Sequence, residues 1–114
     1  MSLANDRRKA QHIARLNDLL RNTFFGGKVM MTLSIANLGL EDRVQIMLAV
    51  QRFDAFTEDN DPYGEHDCAV SEAAGRKCLF KIDYYDPSMQ FESEHPEDPT
   101  ATLRVLTIML ADDY

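Results

Sequence analysis

The amino-acid sequence predicts an α+β fold, a three-stranded and mostly antiparallel sheet packed with three helices in the order α-β-α-β-β-α. Three observations carry this expectation. Apolar residues recur at helical spacing over residues 5–22 and again from Glu41 to Phe53. Residues 66–85 alternate in polarity on either side of Ala73-Ala74-Gly75, as the strands of a hairpin do. Asp98-Pro99 pairs a capping side chain with the residue that best tolerates the first helical position, ahead of an apolar run to Leu110.

In the first segment Ile13, Leu16, Leu19 and Leu20 fall on one stripe, with Arg8, Lys9, Arg15 and Asn22 away from it. Gly26-Gly27 ends the helix. Lys28 to Ile35 is short, partly β-branched and bounded by glycine and Asn37, which suits a strand. Glu41 and Asp42 suit the positive first turn of the second helix, whose apolar face is Val44, Met47 and Leu48, widened by Ile46, Val50 and Phe53. Residues 54–65 lack a helical period and hold Asn60, Asp61, Pro62 and Gly64, so they read as a long loop. A loop of that length within a compact domain is often functional. Taking Ala73-Ala74-Gly75 as a three-residue connection pairs Glu72 with Arg76, Val70 with Cys78, Cys68 with Phe80 and His66 with Ile82. Both cysteines are then expected in the core. Asp86-Pro87 ends the hairpin, and the polar stretch to Pro96 reads as a mobile loop.

The chain has 114 residues, which suits a single domain over residues 5–114, and residues 1–4 are set aside as a disordered or cloning-derived start. The net charge of -7 disfavours non-specific binding to nucleic acid or anionic lipid. The charge is uneven: Arg7, Arg8, Lys9, Arg15 and Arg21 make the first helix basic, whereas residues 54–67 hold six carboxylates and no Lys or Arg. Two cysteines cannot staple a secreted scaffold, and neither a signal peptide nor a membrane span is apparent, so a cytoplasmic location is expected.

Three stretches resemble a known family: Asp59-Asn60-Asp61-Pro62-Tyr63-Gly64-Glu65-His66-Asp67, Lys81-Ile82-Asp83-Tyr84-Tyr85-Asp86, and Leu106 through Tyr114. They are similar to the bacterial domain of unknown function numbered 3768, over Ile13 to Tyr114. The resemblance implies a small bacterial protein and brings no activity, cofactor or catalytic residue with it.

Candidate functional residues therefore come from the chain itself: Asp59, Asp61, Tyr63, Glu65, His66, Asp67, Lys81, Asp83 and Tyr85. The three-residue register places Asp67 opposite Lys81, Glu65 opposite Asp83 and Tyr63 opposite Tyr85 on one face. Two facing carboxylates need a proton, an amine or a cation between them, which makes Glu65 and Asp83 the possible metal ligands. An EF-hand starting at Asp59 fails, because Val70 stands where the bidentate Glu belongs. No cofactor motif is present; the two cysteines lack Cys-x-x-Cys spacing, and Gly26-Gly27-Lys28 lacks the rest of a phosphate loop. With no complete catalytic set, the expected function is that of an accessory or regulatory protein that binds another macromolecule, with a protein as the partner. The alternative is a small metal-dependent or acid–base hydrolase working on the acidic hairpin face.

Overall fold

The structure, a computed structural model, describes residues 3–114. Its elements are α1 (Leu3–Thr23), β1 (Lys28–Met31), α2 (Leu33–Ala36), α3 (Leu40–Arg52), β2 (Cys68–Ala73), β3 (Arg76–Tyr85) and β4 (Leu103–Leu110), followed by a single 3₁₀ turn at Ala111–Asp113. The four strands form one mixed sheet in the order β1-β4-β3-β2. β1 runs parallel to β4, and the other neighbours are antiparallel. The α+β class and three helices stand, while the sheet has four strands and not three. α1 begins at Leu3, so residues 3 and 4 belong to the helix; Met1 and Ser2 lie outside the described residues.

The largest departure is at the end of the chain, where the segment expected as the third helix is the strand β4. The Asp98 side chain does cap, accepting hydrogen bonds from the Thr100 backbone N–H (2.9 Å) and hydroxyl (2.7 Å). It caps a turn closed by the Ala101 N–H to the Asp98 carbonyl, and no helix follows. Leu103–Leu110 is largely apolar and, lying between β1 and β3, is buried on both faces, at Arg104, Leu106 and Ile108 on one and at Val105 and Met109 on the other. A strand buried on both faces reads as an unbroken apolar run, which periodicity alone cannot separate from a buried helix. The helices between the strands differ too: the chain bends after Met31 into the short α2, whose Ile35 is fully buried.

The hairpin register is shifted by one residue. Ala73 pairs with Arg76, Ser71 with Cys78, Ala69 with Phe80 and Cys68 with Lys81. The connection has two residues, Ala74 (φ 54°) and Gly75 (φ 71°), both left-handed as a type I′ turn requires. Alanine seldom accepts that conformation, so nothing in the sequence marks it. β3 keeps its expected facing, with Cys78, Phe80 and Ile82 buried. β2 turns over: Ala69 is in the core, and Cys68 and Val70 are exposed.

Leu20 of α1, Ile35 of α2, and Ile46 and Val50 of α3 all join one core cluster with Phe80, Ile82, Leu106 and Ile108 of the sheet. On α1 the buried stripe is Ile13, Ala14, Asn17, Leu20 and Arg21, while Leu19 is 52% exposed. Gly27 is required by a close approach: a Cβ there would lie 2.5 Å from the Arg104 carbonyl oxygen, where the entry to β1 crosses β4.

Two measurements check this packing. Leu106→Ala should cost about 2–5 kcal/mol, the usual range for a fully buried large-to-small change, and so lower the Tm markedly. Rapid thiol titration of the native protein should find one reactive cysteine, Cys68, with Cys78 reacting only on unfolding; two fast thiols would contradict the observed register.

Candidate functional site

Residues 54–67 have no regular secondary structure, yet their shape is heavily determined. Asn60 accepts the Thr57 N–H (2.8 Å) through Oδ1 and donates to the Ala55 carbonyl (2.9 Å). Asp61, 8% exposed, donates its N–H to the Thr57 carbonyl, and its own carbonyl accepts from Gly64. The Asp61 carboxylate accepts the His66 N–H at 3.2 and 3.3 Å. Left-handed backbone at Gly64 (φ 71°) and His66 (φ 58°) turns the chain back toward β2. A non-glycine residue in that region is uncommon and is held there by its surroundings.

Those surroundings converge on the His66 ring. It stacks flat on Phe56, with centroids 4.0 Å apart and planes 2° apart. Its Nδ1 lies 2.9 and 3.0 Å from the Asp18 carboxylate oxygens, and its Nε2 is 3.7 Å from Asp61 Oδ2. Asp18 also accepts from Arg21 at 2.8 Å. General acid–base chemistry needs a ring nitrogen directed at a substrate. Here a carboxylate stands near each nitrogen, so His66 clasps the loop to α1.

On one side of this clasp is an open groove of about 680 Å³ between the start of α1 and the loop, bordered by Arg7, Gln11, Phe56, Asp61, Tyr63 and His66. On the other side a groove of about 380 Å³ runs past Asp18, Arg21 and Gln51. Tyr63 stands at the groove rim, 82% exposed, and Glu58 and Asp59 are exposed on the same loop.

Of the remaining candidates, Asp67, Lys81 and Asp83 line a separate groove of about 520 Å³ beside Cys68, Val70 and Tyr114, as expected of one hairpin face, while Glu65 leaves that group. Glu65 turns to the helical side of the sheet, where its Oε1 accepts from the Tyr84 hydroxyl at 2.9 Å. Asn17 Nδ2 donates to that hydroxyl (2.8 Å) and to the Glu65 carbonyl (2.9 Å), and its Oδ1 accepts from Arg104 Nε (2.9 Å). Arg104 also donates to the Pro96 carbonyl and lies over the Tyr84 ring. Lys81 pairs with Asp83 on its own strand at 2.9 Å, and not with Asp67. Neighbouring residues on a strand point to opposite faces, so Asp83 lies across the sheet from Tyr84 and from Glu65. The expected Glu65–Asp83 metal pair is therefore absent, and among the described residues no cluster of three or more His, Cys, Asp or Glu could hold a metal. Tyr85 pairs with Leu103 and bridges to Glu92, and the expected pairing with Tyr63 does not form. Of the nine candidates, the fold brings Asp61, Tyr63 and His66 to one groove. It adds Phe56 to that groove and sets Asp18 and Arg21 in the groove on the other side of His66. Of these only Arg21 had a signal in the sequence, its helical spacing on the stripe that holds Ile13 and Leu20.

Burial shifts several of these groups. It raises the Glu65 carboxyl, against the Tyr84 hydrogen bond and with help from Asp67 and Asp61. It raises the Asp67 carboxyl, against a backbone hydrogen bond and with help from Asp61 and Asp83. It drives the Tyr84 hydroxyl far up, so that it stays a donor to Glu65, and it lowers Arg104.

The architecture is an α+β domain with a mixed four-stranded sheet and a clasped acidic loop, and no described helix is long and apolar enough to cross a membrane. Residues 31–113 match the model of the family described as "Protein of unknown function (DUF3768)", and the chain belongs to that family. The match takes in α2, α3, the loop and β2 to β4, reaches only the last residue of β1, and leaves out α1. No curated protein and no solved structure matches the chain.

A raised carboxyl means that the folded state prefers the proton. The stability due to Glu65 is thus fully present below its ordinary value of 4.5 and is lost as pH climbs through the raised value. Glu65→Gln keeps an acceptor for Tyr84 without the charge. Urea denaturation of both proteins from pH 4.5 to neutrality should show a shallower loss of stability in the variant, the difference being due to Glu65. Parallel curves would mean that Glu65 ionises in the native state at no cost.

Proposed function

We propose that this is a small bacterial accessory protein of the cytoplasm that binds another macromolecule, a protein with a basic surface, through the loop 54–67. The observation that carries the reading is the contrast within that loop. Asp61 and His66 are held within it by hydrogen bonds and ring stacking, and the exposed Asn60 is fixed by its own hydrogen bonds, while Glu58, Asp59 and Tyr63 remain exposed. Binding loses free energy when flexible groups must be ordered, and a loop already held avoids that loss. An exposed tyrosine with a rigid backbone beneath it is a common anchor in protein recognition. The flanking carboxylates select a basic partner and repel nucleic acid. The alternative reading as a hydrolase draws less support, since Glu65 and Asp83 lie apart and both nitrogens of His66 face carboxylates.

The test is affinity purification from native cells with three baits: the native protein, Tyr63→Ala, and Glu58→Lys with Asp59→Lys. A partner that co-purifies with the native protein, and is lost from both variants while their Tm is unchanged, is the expected outcome. Its release should follow rising salt, as for exposed charges. Identical co-purifying sets from all three baits would refute the reading.

A further inference from the structure

The sheet has two edges, and β2 is the less guarded of them, with Glu72 as its one charged residue. β1 is four residues long, opens with Lys28 and passes at once into α2. β2 is six residues long, Cys-Ala-Val-Ser-Glu-Ala, with no proline, no lysine and an unbroken register to β3. Natural edge strands are usually blunted by such residues, by bulges or by shortness.

The hydrogen-bond alternation of β2 determines which backbone groups are free to pair. The Ile82 N–H donates to the Asp67 carbonyl at 2.7 Å, so the residues in step with Asp67, namely Ala69, Ser71 and Ala73, turn their backbone groups toward β3. Cys68, Val70 and Glu72 turn theirs outward, and their side chains are exposed. We propose that two copies of this chain join antiparallel through β2 about a two-fold axis at Val70, giving one continuous sheet.

A second copy fits this edge for reasons of register and charge. Centring on Val70 sets Val70 opposite the partner's Val70, and Cys68 opposite the partner's Glu72, so outward groups meet outward groups at all three positions. Within one chain Val70 is beside Leu79, Glu72 beside Lys77 and Cys68 beside Lys81. The central row across the junction is then wholly apolar. Each Glu72 lies between its own Lys77 and the partner's Cys68, with the partner's Lys81 next in the row. Opposite charges in neighbouring rows favour a pairing and like charges facing each other oppose it. Centring on Glu72 would set two carboxylates face to face, and centring on Cys68 would leave Glu72 without a strand opposite it. On the helical face Ala69 meets the partner's Ser71, two side chains small enough for the layers to close.

Sedimentation velocity across a concentration series tests this on the intact chain. The native protein should run at twice its 13.0 kDa mass as concentration rises. Val70→Lys should stay monomeric throughout. Dimerisation alone adds stability, so the variant should melt as the native protein does at dilutions where that too is monomeric, since Val70 is half exposed in the single chain. In a Cys68→Ser background, Val70→Cys should form a disulfide-linked pair on mild oxidation, because facing residues lie within disulfide reach. A native protein that is monomeric throughout overturns the proposal. So does a dimer that survives Val70→Lys and does not cross-link at Val70→Cys, which would join through another surface.

Discussion

The guanidinium of Arg21 is the point on which the separate parts of this structure converge. It is 2% exposed, and a buried cation is costly unless it is partnered; its two terminal nitrogens are, though Nε is not. The partners come from three directions. Nη1 donates to the carbonyls of Val50 (3.1 Å), Gln51 (3.2 Å) and Phe53 (2.6 Å), the end of α3 where carbonyls lack helical partners and the helix dipole is negative. Nη2 donates to Asp18. The group also lies over the rings of Phe56 (5.3 Å) and Phe80 (5.5 Å), in the loop and in the sheet. One side chain thus ends α3, holds α1 against it and supports the aromatic base on which His66 stacks.

The position of the loop follows from that arrangement. Asp18, held by Arg21, is the carboxylate that receives His66, and His66 is the residue at which the chain turns into β2. Immediately before Asp18 on α1, Asn17 makes a second set of contacts, with Tyr84, Arg104 and the Glu65 carbonyl. Glu65 and His66 are therefore held by two consecutive residues of one helix, Asn17 and Asp18. Buried polar networks favour a single arrangement when their members are satisfied; here both terminal nitrogens of Arg21 are bonded, while its Nε is buried without a partner. The outcome is a rigid support beneath exposed acidic and aromatic groups, a geometry suited to recognition more than to chemistry.

The face of β2 was decided by packing against α3 and not by hydropathy. By residue type Cys68 and Val70 are the apolar set and Ala69, Ser71 and Ala73 the poor one, so alternation points the wrong way. Phe80, Ile82 and Leu106 already fill the space under the helices, together with Ile46 and Val50. Small side chains on β2 let the helix approach the sheet there, and the exposed Val70 is left on the opposite face.

Local chemistry in the sequence determined the α+β class, α1 and α3, the extent of β3 with its buried Cys78, Phe80 and Ile82, and the long acidic loop as the region of interest. These depend on 3.6- and 2-residue periods and on turn residues whose preferences act within a few positions. Tertiary structure decided the rest. β4 is a strand because it lies between two others, and its apolar run carries no period that could say so. The hairpin slipped by one residue because Ala74 accepts a left-handed conformation that its type seldom adopts. Glu65 and Asp83 parted because a one-residue slip reverses a face. Asp18, Arg21 and His66 met because α1 packs beside α3 and the loop, a contact between residues distant in the chain that no local pattern records.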